Sequence, residues 1–126
     1  MKRLGLFLAL AATATAAPSQ SFFRALHLVE TSGRHGPILG DDGKALGPLQ
    51  IHRAYHRDSG IAGDYSRCAD LVYAQKVVAA YLKRFAPRAW AKGDVRTLAR
   101  VHNGGPSGHQ KTATLAYANK VSKLCK

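Results

Sequence analysis

Glu30 is the only glutamate in this chain of 126 residues. It stands where an apolar helical stripe, Phe22, Leu26 and Val29, runs out. Two aspartates, Asp41 and Asp42, follow within a stretch punctuated by Gly33, Gly36, Pro37, Gly40, Gly43 and Gly47. An acidic side chain at a helix C-terminus opposes the helix dipole, so helix stability does not account for Glu30. The apolar stripe beside it would partly bury the carboxyl, raise its pKa and keep a proton on it near neutral pH. A protonated acid facing a charged carboxylate is the pair that glycosidic-bond hydrolysis requires. One group donates to the leaving oxygen and the other faces an oxocarbenium-like centre. Asp42-Gly43 suits a tight hairpin turn, which explains Asp42 without any chemistry and explains Asp41 less well. Asp41 is therefore the better second carboxylate, with Asp42 as its alternative.

Other polar residues fall where a sugar could meet them. Ser32 and Gln50 are placed to hydrogen-bond hydroxyl or N-acetyl groups along a cleft floor, though turn or core roles explain them equally. His102 and Asn103 sit at a helix-to-loop junction. There His102 either lines the cleft near Glu30 or packs, and Asn103 either meets substrate or ends the helix. Gly104 and Gly105 allow close backbone approach. His52 and His56 have the i, i+4 spacing of metal ligands, but no third ligand is evident, and no metal or cofactor is implied. Trp90 serves equally as a loop anchor or as a stacking platform.

The elements that must position these groups fit one domain. Met1-Lys2-Arg3, the apolar run Leu4 to Ala12 and the small residues Ala14-Thr15-Ala16 read as a cleaved export signal over residues 1–16. Residues 17–126 then form the mature domain, secreted or periplasmic. The apolar run is too short for a permanent anchor, so stable membrane insertion is not expected. Cys68 and Cys125 are the only cysteines. In an oxidising compartment a single bridge between them is the simplest reading, worth roughly 4 kcal/mol by loop entropy. The chain carries 19 lysines and arginines against 7 acids. Removing Lys2 and Arg3 leaves 17 cations and a net charge of +10. Such a surface attracts polyanions, including anionic wall polymers. Export, and the lack of any nucleic-acid-binding motif, argue against a nucleic-acid partner.

Periodicity predicts a helix from the caps at Pro18–Ser21 to about Glu30, a small hairpin around Asp41-Asp42-Gly43, and a helix from Leu49 to about Ser59. The longest helix is expected over 66–85, capped by Asp64 or Ser66 and closed by Pro87. A short helix begins at Asp94 and stops at Asn103-Gly104-Gly105-Pro106, and a last helix spans about 111–124. The fold class is α+β, mostly helical, with about five helices and one hairpin.

Three segments carry a family resemblance: Val-Glu-Thr-Ser-Gly-Arg at 29–34, Gly-Asp-Asp-Gly-Lys-Ala-Leu-Gly-Pro-Leu-Gln-Ile-His at 40–52, and Ala-Arg-Val-His-Asn-Gly-Gly-Pro at 99–106. With Arg53-Ala54-Tyr55 and Ala113-Thr114-Leu115-Ala116-Tyr117, they resemble the invertebrate-type lysozymes and their bacterial relatives over about residues 25–124. The resemblance implies a lysozyme-like fold and cleavage of the β-1,4 bond between N-acetylmuramic acid and N-acetylglucosamine in peptidoglycan. It places the general acid at Glu30 and the hairpin aspartate at Asp41. The two cysteines are few for an animal member and suit the leaner bacterial branch. His56 stands where the family usually has an aromatic residue, and Ala118 where a tryptophan often follows the tyrosine. Two rival readings share these residues: a lytic transglycosylase needing Glu30 alone, and a non-catalytic cationic protein that binds the wall.

Overall fold

The computed structural model describes residues 17–125. The expected export signal at 1–16 and Lys126 lie outside the described residues. Helix α1 (Gln20–Thr31) forms because Phe22, Phe23, Ala25 and Leu26 fall on one face and are buried. It ends at Ser32, whose φ of 56° is left-handed. The N–H groups of Ser32 and Gly33 return to Leu28 O and His27 O, closing the open carbonyls of the last turn.

The chain then makes a three-stranded antiparallel sheet, β1 (Leu39–Gly40), β2 (Ala45–Leu46) and β3 (Ile51–His52), in the order β1-β2-β3. Gly40 pairs with Ala45, and Ala45 in turn with His52. The expected hairpin is present, and β3 adds a strand that periodicity assigned to the start of a helix. Asp41, Asp42 and Gly43 make the turn with φ of 49°, 54° and 81°. Lys44 N–H closes it on Asp41 O at 3.1 Å. Aspartate tolerates the left-handed region better than most residues, so both aspartates serve the turn.

Helix α2 (Arg53–Ser59) follows, then a 3-10 turn at Tyr65–Ala69 and helix α3 (Leu71–Phe85). Asp64 caps the 3-10 turn through Ser66 N–H, while Asp70 caps α3 through Tyr73 N–H. The expected 66–85 helix is thus interrupted at Asp70, whose extended backbone and side-chain cap start a new helix. Pro87 opens α4 (Pro87–Lys92), because the first helical position needs no N–H. Asp94 caps α5 (Val95–Gly104), and two 3-10 turns lead into α6 (Leu115–Leu124). Among the described residues there are six α-helices rather than five. None of them is long and apolar enough to cross a membrane.

The core joins α1, the sheet, α3, α5 and α6 through Phe22, Leu26, Leu49, Ile51, Val77, Val78, Leu82, Leu98 and Val121, all fully buried. Trp90 meets Phe23 edge-on at 6.5 Å beneath Lys83, which makes it the anchor of α4 on α1. The expected disulfide is absent: Cys68 and Cys125 are free thiols. A bridge needs Cβ atoms about 4 Å apart and a fixed torsion. Cys68 instead packs in the core, where burial pushes its thiol up to about 11, and Cys125 Sγ lies 3.4 Å from Ser21 Oγ on α1. The fold rests on its apolar core.

Gly47 ties the sheet to that core. Its φ is +85°, and a Cβ there would strike the Cys68 backbone carbonyl. Both atoms belong to main chain, so a side chain cannot swing away. Gly47→Ala should lower folding stability by about 2 kcal/mol or more, measured by urea unfolding.

Candidate active site

Glu30 lies in the last turn of α1, in surroundings that favour the protonated carboxyl. Its side chain is 17% exposed. Tyr117 of α6 donates from Oη to Glu30 Oε1 at 2.7 Å. His102 Nε2 of α5 stands 3.9 Å from the same oxygen. Burial raises the Glu30 pKa above the ordinary carboxylate range, and the Tyr117 bond pulls it part of the way back. Oε2 takes no hydrogen bond from the described residues, which leaves one carboxyl oxygen for a substrate atom.

His102 is itself buried, with a side chain 4% exposed. Burial lowers its pKa to about 4, so the ring is neutral near pH 7 and its approach to Glu30 is not an ion pair. Tyr55 Oη of α2 lies 2.8 Å from Nδ1. We assign the phenol as the donor, which places the ring proton on Nε2 and turns it toward Glu30. Tyr55 stacks on Tyr81 of α3, with ring centroids 3.6 Å apart at 12°. The niche is thus made by side chains from α1, α2, α3, α5 and α6.

The hairpin faces this niche across a cavity of about 290 Å³ lined by Glu30, Asp41, Ala45, Gln50, His52, His102 and Asn103. Thr31, next to Glu30, fastens the helix end to the sheet by donating to Pro48 O at 2.8 Å. Gln50 has a φ of 53° and donates from Nε2 to Ile38 O and Gly47 O, bracing the hairpin from inside. Asp41 is open to water, with 62% of its side chain exposed, and His52 Nε2 meets its Oδ2 at 3.2 Å. A larger recess of about 450 Å³ between α1, α3 and α6 is lined by Arg24 and His27 among others, with no carboxylate. Acid chemistry therefore belongs to the hairpin cleft.

Of the residues singled out in the sequence, Glu30, Asp41, Gln50, His102 and Asn103 come together here. Ser32 and Asp42 do not line the cavity: Ser32 closes α1, and Asp42 is an exposed turn residue. His56 is buried and bonds Tyr73 Oη at 2.7 Å, and Ala118 is fully buried. Both family departures are repacked core positions, outside the cleft. His52 and His56 face separate partners, Asp41 and Tyr73. Sequence reasoning passed over Tyr117, Tyr55 and His52 as parts of this site. Tyr117 and Tyr55 read as apolar helix positions, and only the three-dimensional meeting of their hydroxyls with Glu30 and His102 reveals them.

The two buried groups act on folding with opposite signs. His102 binds protons less well folded than unfolded, so the stability it lends is complete above the ordinary histidine range and lost as pH falls through about 4. Glu30 lends stability below the ordinary carboxylate range and loses it as pH rises through its raised value. His102→Gln should remove about 3 kcal/mol of the acid-induced destabilisation between about pH 7 and pH 4. Urea unfolding at a series of pH values checks this, and an unchanged slope would show that His102 titrates normally.

The Destabilase family profile matches residues 26–125. Lysozyme 1 of Crassostrea virginica is 34% identical over 109 residues, covering 82% of this chain and 58% of the oyster protein. The Ostrea edulis lysozyme is 38% identical over 84 residues, covering 64% of this chain and 61% of its own length. The chain thus spans about three-fifths of these relatives. The crystal structure of Tapes japonica lysozyme superposes with a TM-score of 0.73 at 32% identity, covering 87% of this chain and 97% of the clam protein. The chain belongs to the Destabilase family, that of the invertebrate-type lysozymes.

Proposed function

We propose that this protein is an exported lysozyme-type glycoside hydrolase, its mature domain at 17–126, that cleaves the β-1,4 bond between N-acetylmuramic acid and N-acetylglucosamine. One observation carries the reading. Burial raises the pKa of the chain's sole glutamate, and that carboxyl shares a cavity with an exposed aspartate. Glu30 gives its proton to the glycosidic oxygen as the bond breaks. Asp41 stabilises or captures the positive sugar centre, and water completes hydrolysis, returning a proton to Glu30. Tyr117 holds Glu30 Oε1, so the free Oε2 is the oxygen aimed at the scissile bond. The lysozyme names of the oyster and clam relatives support the substrate class.

Glu30→Gln should cut the clearing of purified peptidoglycan by at least about 100-fold while the protein stays folded. Asp41→Asn should cost about 100-fold if charge at the sugar centre is needed. Released muropeptides should carry reducing ends; anhydro-muramyl ends would identify a transglycosylase, and no clearing by wild type together with wall binding unchanged in Glu30→Gln would identify a non-catalytic wall binder. Tyr117→Phe removes a bond that favours ionised Glu30. The alkaline limb of its pH–rate profile should therefore move to higher pH, and a downward move would contradict the assigned donor.

A further inference from the structure

Next to the cleft is a second recess of about 340 Å³, lined by Gly43, Lys44, His52, Arg53 and Ala54. His52 lines both spaces. The ladder ends at the pair Ala45 and His52, so Lys44 lies in the turn before it and Arg53 opens α2 after it, and both line the recess. Neither cation is in an ion pair among the described residues, and both are exposed. Two cations without an ion-pair partner beside one recess suit an anionic ligand.

The recess is also built rather than merely charged. The Arg53 guanidinium lies over the Tyr65 ring, 4.5 Å from its centroid. Tyr65 Oη donates to Ile51 O and, at 3.5 Å, to Lys44 O, so one phenol pins the backbone on both sides of the recess. Stacking holds the guanidinium plane and leaves its edge N–H groups free for a planar acceptor. The nearby Asp64 carboxylate is turned to its own cap, accepting from Ser66 N–H at 2.9 Å. On the other side, Asp41 is met by His52, which stands between the catalytic carboxylate and the two cations.

We propose that this recess is a subsite for a carboxylate carried on the glycan strand beside the bond being cleaved, received by Lys44 and Arg53. The inference rests on the hydrolase reading and refines its substrate. A neutral N-acetylglucosamine polymer brings no carboxylate to the recess, whereas a muramyl strand without its peptides carries the lactyl carboxylate. Catalytic attack stays with Glu30 and Asp41, and Lys44 and Arg53 contribute binding alone.

The test compares wild type with Lys44→Ala/Arg53→Ala on two soluble strands of equal length, one neutral and one bearing muramyl carboxylates. The ratio of kcat/KM for the carboxylated strand over the neutral one should fall about fivefold to tenfold, mainly through KM. Lys44→Arg/Arg53→Lys should keep most of the ratio. Added salt should erode the wild-type ratio more than that of the double alanine variant. An unchanged ratio in the double alanine variant would overturn the subsite. So would a loss seen only on walls that retain phosphate polymers, because it would assign the recess to phosphate. If wild type cleaves neither strand, the hydrolase reading fails by itself. The Kd of the carboxylated strand for wild type and double variant then decides the subsite separately, equal values overturning it.

Discussion

A carboxylic acid whose ionisation burial disfavours sets the terms for the rest of this structure. Glu30 is buried enough to raise its pKa and still lines a cleft. Burial alone would push the group far, and the Tyr117 hydroxyl draws it back. The same niche decides the state of His102. A charged imidazole 3.9 Å from Glu30 would favour the carboxylate. Because burial holds His102 neutral, it faces Glu30 as a dipole. One low-dielectric pocket thereby shifts both groups toward their neutral forms.

The opposite wall follows the contrary rule. Asp41 stands on a turn, open to water and met by His52. Helix burial on one side and turn exposure on the other separate the two acids by environment rather than by residue type. The contact that keeps the walls in register is small: the Thr31 hydroxyl, one residue beyond Glu30, bonds Pro48 O. Gln50 and Tyr65 then stiffen the sheet through backbone carbonyls. A two-residue strand cannot hold a position by ladder bonds alone, so side chains reaching the main chain supply the rigidity.

The legible parts of this chain are those where one residue type has few alternatives. A lone glutamate closing an apolar stripe marked the acid, and Asp-Gly marked the turn. Asp94 and the Asn103–Pro106 run marked the two ends of α5. The break between the 3-10 turn and α3 was hidden because Leu71, Val72 and Val78 continue the helical period across it, and only the Asp70 cap decides the start. Pro87 was ambiguous by nature, since proline both stops one helix and opens another. The cysteines misled because compartment logic speaks of redox chemistry and not of distance; one thiol packs in the core while the other lies against Ser21. Tyr117 and Tyr55 were illegible because a tyrosine on a helical face looks apolar until its hydroxyl finds a partner.

The acids are few, and their placement explains the field around the cleft. Asp64, Asp70 and Asp94 are helix caps, Asp58 meets Arg57, and Asp42 lies in the turn. Only Glu30 and Asp41 face the cavity. Caps bind their own backbone N–H groups, and 7 acids against 19 lysines and arginines leave a formal net charge of +12. Its attraction for an anionic polymer is long-ranged and screened by salt beyond about 10 Å. Glu30 is governed at contact distance inside its buried niche. Attraction at the surface and the ionisation of Glu30 therefore respond to different variables, the first to ionic strength and the second to pH. That separation lets a strongly basic surface coexist with an acid whose pKa is raised: the cations stay in water, and the niche is built from phenols and a neutral ring.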